Sequence, residues 1–204
     1  EQPETLPDER FRYVHDPGSQ TEVRVSFHTP GVSSPESPTL LLLSRILDDG
    51  LSTRVHRTIC EERGLAYEAF AGADSLEDCG VFDFGASVEH KKAPLLVESV
   101  LELAENLARE APSDEEVAKA KRRHLWDLRT VRDDPEETAH FVGTSALFGL
   151  PEAVEALAGE VAAVTPERIR ELARTHFGGA EAHLTLVGVL DDPLLRRLES
   201  VVDA

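Results

Sequence analysis

The chain begins with a polar lead, and Phe11 to Ser19 contains the turn run Asp16-Pro17-Gly18. Val23, Val25 and Phe27 then alternate with Glu22, Arg24, Ser26 and His28, a period of two that predicts a half-buried strand. Pro30 to Pro38 is rich in Pro, Ser and Gly and reads as a loop. Thr39 to Leu47 carries leucine on every side, which predicts a helix buried nearly all round. Gly50 punctuates the chain, and Leu51 to Arg63 reads as a second helix with Ser52 as its cap and Gly64 as its stop.

Ala66 to Ala73 and Val81 to Glu89 are predicted strands, paired as a hairpin across Asp74 to Gly80, with Phe82, Phe84, Ala86 and Val88 on the core face of the second. Pro94 opens a long amphipathic helix, because Leu96, Val100, Leu103, Ala104, Leu107 and Ala111 recur at helical spacing. Ser113 with Glu116 has the pattern of a capping box and starts a helix running to Val131, and Asp134-Pro135-Glu136-Glu137 repeats that logic. Further helices are predicted over Glu152 to Val161, after Thr165-Pro166, and over Pro193 to Val201, with a strand from His183 to Leu190 before the last. Strands clustered between helix runs predict an α+β fold, a mainly antiparallel sheet with helices packed on one face.

Composition narrows the function classes. With 41% hydrophobic and 29% charged residues the chain is that of a folded protein, and 204 residues suit one domain with its core over about 21–190. The 21 Lys and Arg against 39 Asp and Glu leave a net charge of −18, which argues against nucleic acid as a partner, since phosphate binding is driven by basic side chains. The longest apolar run, Leu40 to Leu43, is far shorter than a membrane span, so a soluble protein of cytoplasm or periplasm is expected. Glu1 to Arg10 has neither an initiator Met nor the regions of a signal peptide, and the chain is expected to be a fragment of a longer one.

Chemical motifs are mostly missing. There is no phosphate-binding glycine loop, no Gly-x-Ser-x-Gly and no Cys-x-x-Cys, and Cys60 and Cys79 make no disulfide framework. None of the eight histidines stands in His-x-x-Glu-His or His-Glu-x-x-His, the spacings that put two imidazoles on one helical face beside a general base. His56 and Cys60, four residues apart on the predicted second helix, share a face, but no third ligand accompanies them; a small metal-binding module built on this pair is the least favoured reading.

The most specific stretch runs from Gly50-Leu-Ser-Thr-Arg-Val55 to Glu61-Glu-Arg-Gly-Leu-Ala-Tyr67. It resembles the C-terminal, inactive domain of the pitrilysin/insulinase family of zinc peptidases. The resemblance is extended by Asp78-Cys-Gly80, by the helix start at Ser113 to Lys121, and by Ala163-Val-Thr-Pro-Glu-Arg-Ile169 before the strand containing Gly188. It implies a clamshell peptidase in which a homologous, zinc-bearing domain or subunit holds the metal while this domain helps to enclose peptide substrates. It implies no catalytic residue, no metal ligand and no cofactor in this chain, with zinc expected in the partner domain and a homo-oligomer as an open alternative.

Active members of the family use an Arg and a Tyr, seven residues apart, to reach the bound peptide. The Tyr position corresponds to Tyr67, whose phenol can donate to a carbonyl or developing oxyanion. The Arg position is Cys60, which has no forked cationic donor, and Arg57 and Arg63, three residues to either side and so projecting near the same face, are the compensating candidates. The substrate-binding expectation is therefore Tyr67, Arg63 and Arg57. The runner-up, favoured by Cys60, is a structural or assembly subunit of the same family that has lost peptidase function.

Overall fold

The computed structural model describes residues 10–178 and 181–202. Its sheet contains β1 (Phe11–His15), β2 (Thr21–Pro30), β3 (Ala69–Ser75), β4 (Cys79–Val88) and β5 (His183–Gly188), in the order β1-β5-β2-β4-β3. Every neighbouring pair is antiparallel except β1 with β5, which run parallel with Phe11 opposite Leu184. The expected α+β class and mainly antiparallel sheet are thus observed. β1 lies in the Phe11 to Ser19 stretch, after the polar lead, where the sequence shows a turn run and no strand is expected. Its Tyr13 hydroxyl donates to the Gly188 carbonyl at 3.0 Å and accepts from the Leu190 amide at 3.3 Å, so a residue near the start of the described chain fastens the end of the last strand.

The alternation in β2 and β4 sets which face is dry. Val23, Val25, Phe27, Phe82, Phe84, Leu184 and Leu186 point inward and are buried, while Arg24, Ser26, His28, Asp83 and Thr185 point outward and are half-buried or exposed. The hairpin strand β3 begins at Ala69, three residues later than predicted, and forms one edge of the sheet.

Helix α1 (Ser37–Leu47) buries Leu40, Leu42, Leu43, Ile46 and Leu47, with Pro38 in its first turn. α2 (Ala93–Arg109) buries the expected line of Leu96, Val100, Leu103, Ala104 and Leu107; Ala111 lies beyond its end. α3 (Asp114–Thr130) starts in the expected capping box: the Ser113 hydroxyl accepts from the Glu116 amide at 3.2 Å, and the Glu116 carboxylate accepts from the Ser113 amide at 2.9 Å. α4 (Pro135–Phe148) is capped by Asp134 and stopped by Gly149, whose φ of 65° is open to glycine. α5 (Val154–Ala162), α6 (Pro166–His176) capped by Thr165, and α7 (Asp192–Val202) complete the order. Immediately after α6, Phe177 is fully buried with its ring centroid 5.0 Å from those of Phe27 and Phe82, which joins helix layer to sheet. Among the described residues no helix is long and apolar enough to cross a membrane.

Candidate functional site around residues 50 to 67

The expected second helix is not an α-helix along its length. His56–Glu62 is a π-helix, closed by the Arg63 amide donating to the Thr58 carbonyl five residues back at 3.2 Å. The wider turn changes which side chains meet. His56 faces Glu61 at 3.7 Å and Arg57 faces Glu62 at 3.4 Å, both five residues apart, so the three-residue spacing that put Arg57, Cys60 and Arg63 on one α-helical face does not apply here. Arg57 remains largely exposed. Arg63 turns toward α2, donating to the Ser99 hydroxyl at 2.7 Å and to the Glu102 carboxylate.

The turn before the π-helix is built on Gly50, whose φ of 108° disfavours any side chain. Thr53 donates its hydroxyl to the Gly50 carbonyl at 2.6 Å and closes the turn. Ser52 does not cap the helix as expected; its hydroxyl accepts from the Lys119 ammonium at 2.6 Å. Arg54 grips Glu116 with two parallel bonds, Nε to Oε1 at 2.7 Å and Nη2 to Oε2 at 2.9 Å. That fork holds the Glu116 carboxyl down at about 2. The same carboxylate completes the capping box of α3, so one residue ties the Gly50 turn to the start of a helix more than sixty residues away. Sequence reasoning saw Arg54 and Glu116 separately, and nothing local in either segment signals that they meet.

Beyond the π-helix, Gly64 adopts a left-handed conformation with φ 55°, ending the helix as predicted. Tyr67 sits in the connection before β3 and is 100% exposed, rather than packing its ring at a strand start. Cys60 lies half-buried against the core, and its thiol is pushed up chiefly by burial and then by nearby carboxylates, against a backbone bond at Ala69 that favours the thiolate. It is a neutral thiol at pH 7 and supplies no cation. On the neighbouring edge strand the Ala71 amide is taken by the Asp48 carboxylate at 3.0 Å, which blunts part of that edge.

No group of three or more His, Cys, Asp or Glu side chains able to hold a metal ion occurs among the described residues. The donor set thus does not fit the zinc centre of a peptidase, and His56 with Cys60 gains no third ligand. His124, on α3 facing α1, is buried with neither ring nitrogen hydrogen-bonded. Burial, followed by the Arg45 charge, lowers its pKa. A groove of about 710 Å³ lies elsewhere, between the loop after β2 and α4 to α6, and none of Arg57, Arg63 or Tyr67 lines it.

Comparison with known proteins places this geometry. The profile of the peptidase M16 inactive domain matches residues 1–123. An uncharacterized zinc protease of Streptomyces coelicolor is 25% identical over 162 residues, 79% of this chain and 35% of that protein. One from Mycobacterium bovis is 26% identical over 166 residues, 81% of this chain and 38% of that protein. The chain thus spans little more than a third of these curated relatives. Among solved structures, a protease from Helicobacter pylori superposes with a TM-score of 0.82 at 18% identity, covering 89% of this chain and 44% of that one. The peptidase M16 inactive domain from Pseudomonas fluorescens gives 0.79 at 21% identity, covering 92% and 46%. An inactive peptidase domain from Bordetella parapertussis gives 0.73 at 19%, covering 85% and 92%, so related domains exist as chains of similar length. A chain of complex III2 from Candida albicans shares the fold at 0.75 and 15%, covering 97% and 49%. With its sequence matched over most of its length and its fold shared with solved inactive domains, this chain belongs to the family of peptidase M16 inactive domains.

Proposed function

We propose that this domain is the non-catalytic, substrate-enclosing half of a pitrilysin-type zinc metallopeptidase, acting with a homologous domain or subunit that carries the zinc. The observation that carries the reading is Tyr67, fully exposed on a connection that is anchored before it by the Arg54–Glu116 fork and by Arg63 on α2, and after it by the Ala71 amide on the Asp48 carboxylate. A phenol on a held, solvent-facing loop is suited to reach a peptide carbonyl presented by a partner. Arg57, exposed three residues before Cys60, is the candidate cation for the role that Cys60 lacks, and Arg63 keeps part of its surface open while holding the loop.

The test is turnover of a peptide by the assembly reconstituted with its zinc-bearing half. Tyr67→Phe is expected to lower kcat by about 10²–10³, the range for losing one donor at a reacting oxygen. Unchanged turnover removes Tyr67 from the mechanism. A second reading, an assembly subunit without catalytic contribution, is supported by Cys60 at the position of the family's Arg and by the likeness of fold to a chain of complex III2. In that case Tyr67→Phe and Arg57→Ala both leave turnover unchanged, while removal of the domain dissolves the complex.

A further inference from the structure

Helix α3 has two faces of different chemistry. Val117, Ala120, His124 and Leu128 turn inward and are buried. Lys119, Arg122, Arg123 and Trp126, spaced three or four residues apart, stand exposed on the other side. Trp126 is the only tryptophan of the chain, and 65% of it is open to solvent. These four side chains border a pocket of about 350 Å³ between α3 and the turn that follows α1, where buried Ile46 and Ala120 add apolar surface.

The cations at the rim are not consumed by the fold. Among the described residues Arg122 makes no ion pair, Arg123 stands 3.9 Å from Asp49, and Lys119 donates to the neutral Ser52 hydroxyl. The two carboxylates in the pocket, Asp49 and Glu116, are each already held by a guanidinium, that of Arg45 at 2.9 Å and that of Arg54 at 2.7 Å. A chain of net charge −18 thus carries a local surplus of positive charge beside an uncovered indole. Exposed tryptophan rimmed by unpaired arginine is the composition of an interface centre, not of ordinary surface.

We propose that this pocket docks an acidic peptide segment of a partner protein, with carboxylates on Arg122, Arg123 and Lys119 and an apolar side chain against Trp126. The free guanidinium forks select carboxylates by charge and shape. The pocket also selects a peptide over a compact phosphate ion. Asp49 and Glu116 repel a dense cluster of phosphate oxygens, whereas carboxylates spaced along a peptide meet the rim one at a time, and peptide N–H groups can donate to the pocket's acceptor oxygens. At physiological ionic strength fields fade over about 8 Å, so the rim, not the acidic remainder of the domain, governs the contact. This surface goes beyond the proposed peptidase role and does not rest on it.

Calorimetric titration of the purified chain with a short peptide of alternating Glu and Leu, in about 0.15 M salt, tests the surface. Saturation at one equivalent is expected, with the Trp126 emission shifted to the blue. Arg122→Glu and Arg123→Glu should each weaken binding about tenfold or more, and Trp126→Ala should weaken it too. Arg196→Glu on α7, an equal change of net charge at another exposed position, should leave it unchanged. All four substituted side chains are exposed, so the melting temperatures should match the parent. The proposal is overturned by the absence of saturable binding to the parent, by equal binding of the Gln and Leu analogue, by an equal loss in Arg196→Glu, or by tripolyphosphate binding as tightly as the peptide.

Discussion

The Arg54–Glu116 fork offers the sharpest test of how the site segment is held. Glu116→Gln keeps the shape and can still accept from the Ser113 amide, since Gln serves the capping box as Glu does, so the substitution removes the charge and little else. The gap between about 2 in the folded protein and an ordinary value of 4.5 caps the contribution of the ionised form at about 3.4 kcal/mol. Because the Glu116 side chain is 34% exposed, water screens the pair and about 1–2 kcal/mol is the expected loss. For a domain of this size that lowers Tm by roughly 2–8 °C.

The pH dependence follows from the same gap. A carboxyl whose folded pKa is depressed stabilises fully above the unfolded value, and that contribution drains away as pH falls from about 4.5 toward 2. Urea unfolding followed by circular dichroism, repeated across that window, should show the parent losing stability with a steeper slope than Glu116→Gln. Hydrogen exchange should also quicken in residues 50–67, whose link to α3 is weakened. Equal stability at pH 7, or an unaltered slope between pH 4.5 and 2, would refute the assignment of the fork as the anchor of this segment.

Two further perturbations probe the scaffold. His124 has a folded pKa lowered by burial and by Arg45, so its contribution is intact above the unfolded value near 6.5 and is lost as pH falls below it; His124→Leu should abolish that slope and, by removing two unpaired buried nitrogens, leave stability at pH 7 unchanged or raised by about 1 kcal/mol. A loss larger than that in denaturant unfolding would show that the imidazole has a partner. Gly188→Ala would place a Cβ 2.6 Å from the Thr21 hydroxyl and 2.8 Å from its Cα, backbone that cannot swing aside, so it should cost about 1–3 kcal/mol by forcing β5 from β2. A variant within experimental error of the parent would mean that the strand end yields freely.

What the chain reveals by itself is whatever its physics completes within a few residues. The capping box at Ser113 and Glu116, the Asp134 and Thr165 caps, the period of two in β2 and β4 and the apolar line of α2 all rest on contacts between near neighbours, and all are seen as read. The order of motifs from Gly50 to Tyr67 likewise carries the family, because loop chemistry of that kind is written in consecutive residues.

Tertiary structure alone decided the rest. β1 is a strand because β5 arrives beside it from some 170 residues away, and five residues with modest alternation do not announce such a partner. A π-turn at residues 56–62 differs from an α-turn by one residue of hydrogen-bond register, a choice made where Cys60 and Ile59 pack on the core and Arg63 reaches α2. The meetings of Arg54 with Glu116 and of Ser52 with Lys119 arise because packing the helices on the sheet brings distant segments together, and the entropy of closing such loops is met by burying the whole core at once, not by either pair.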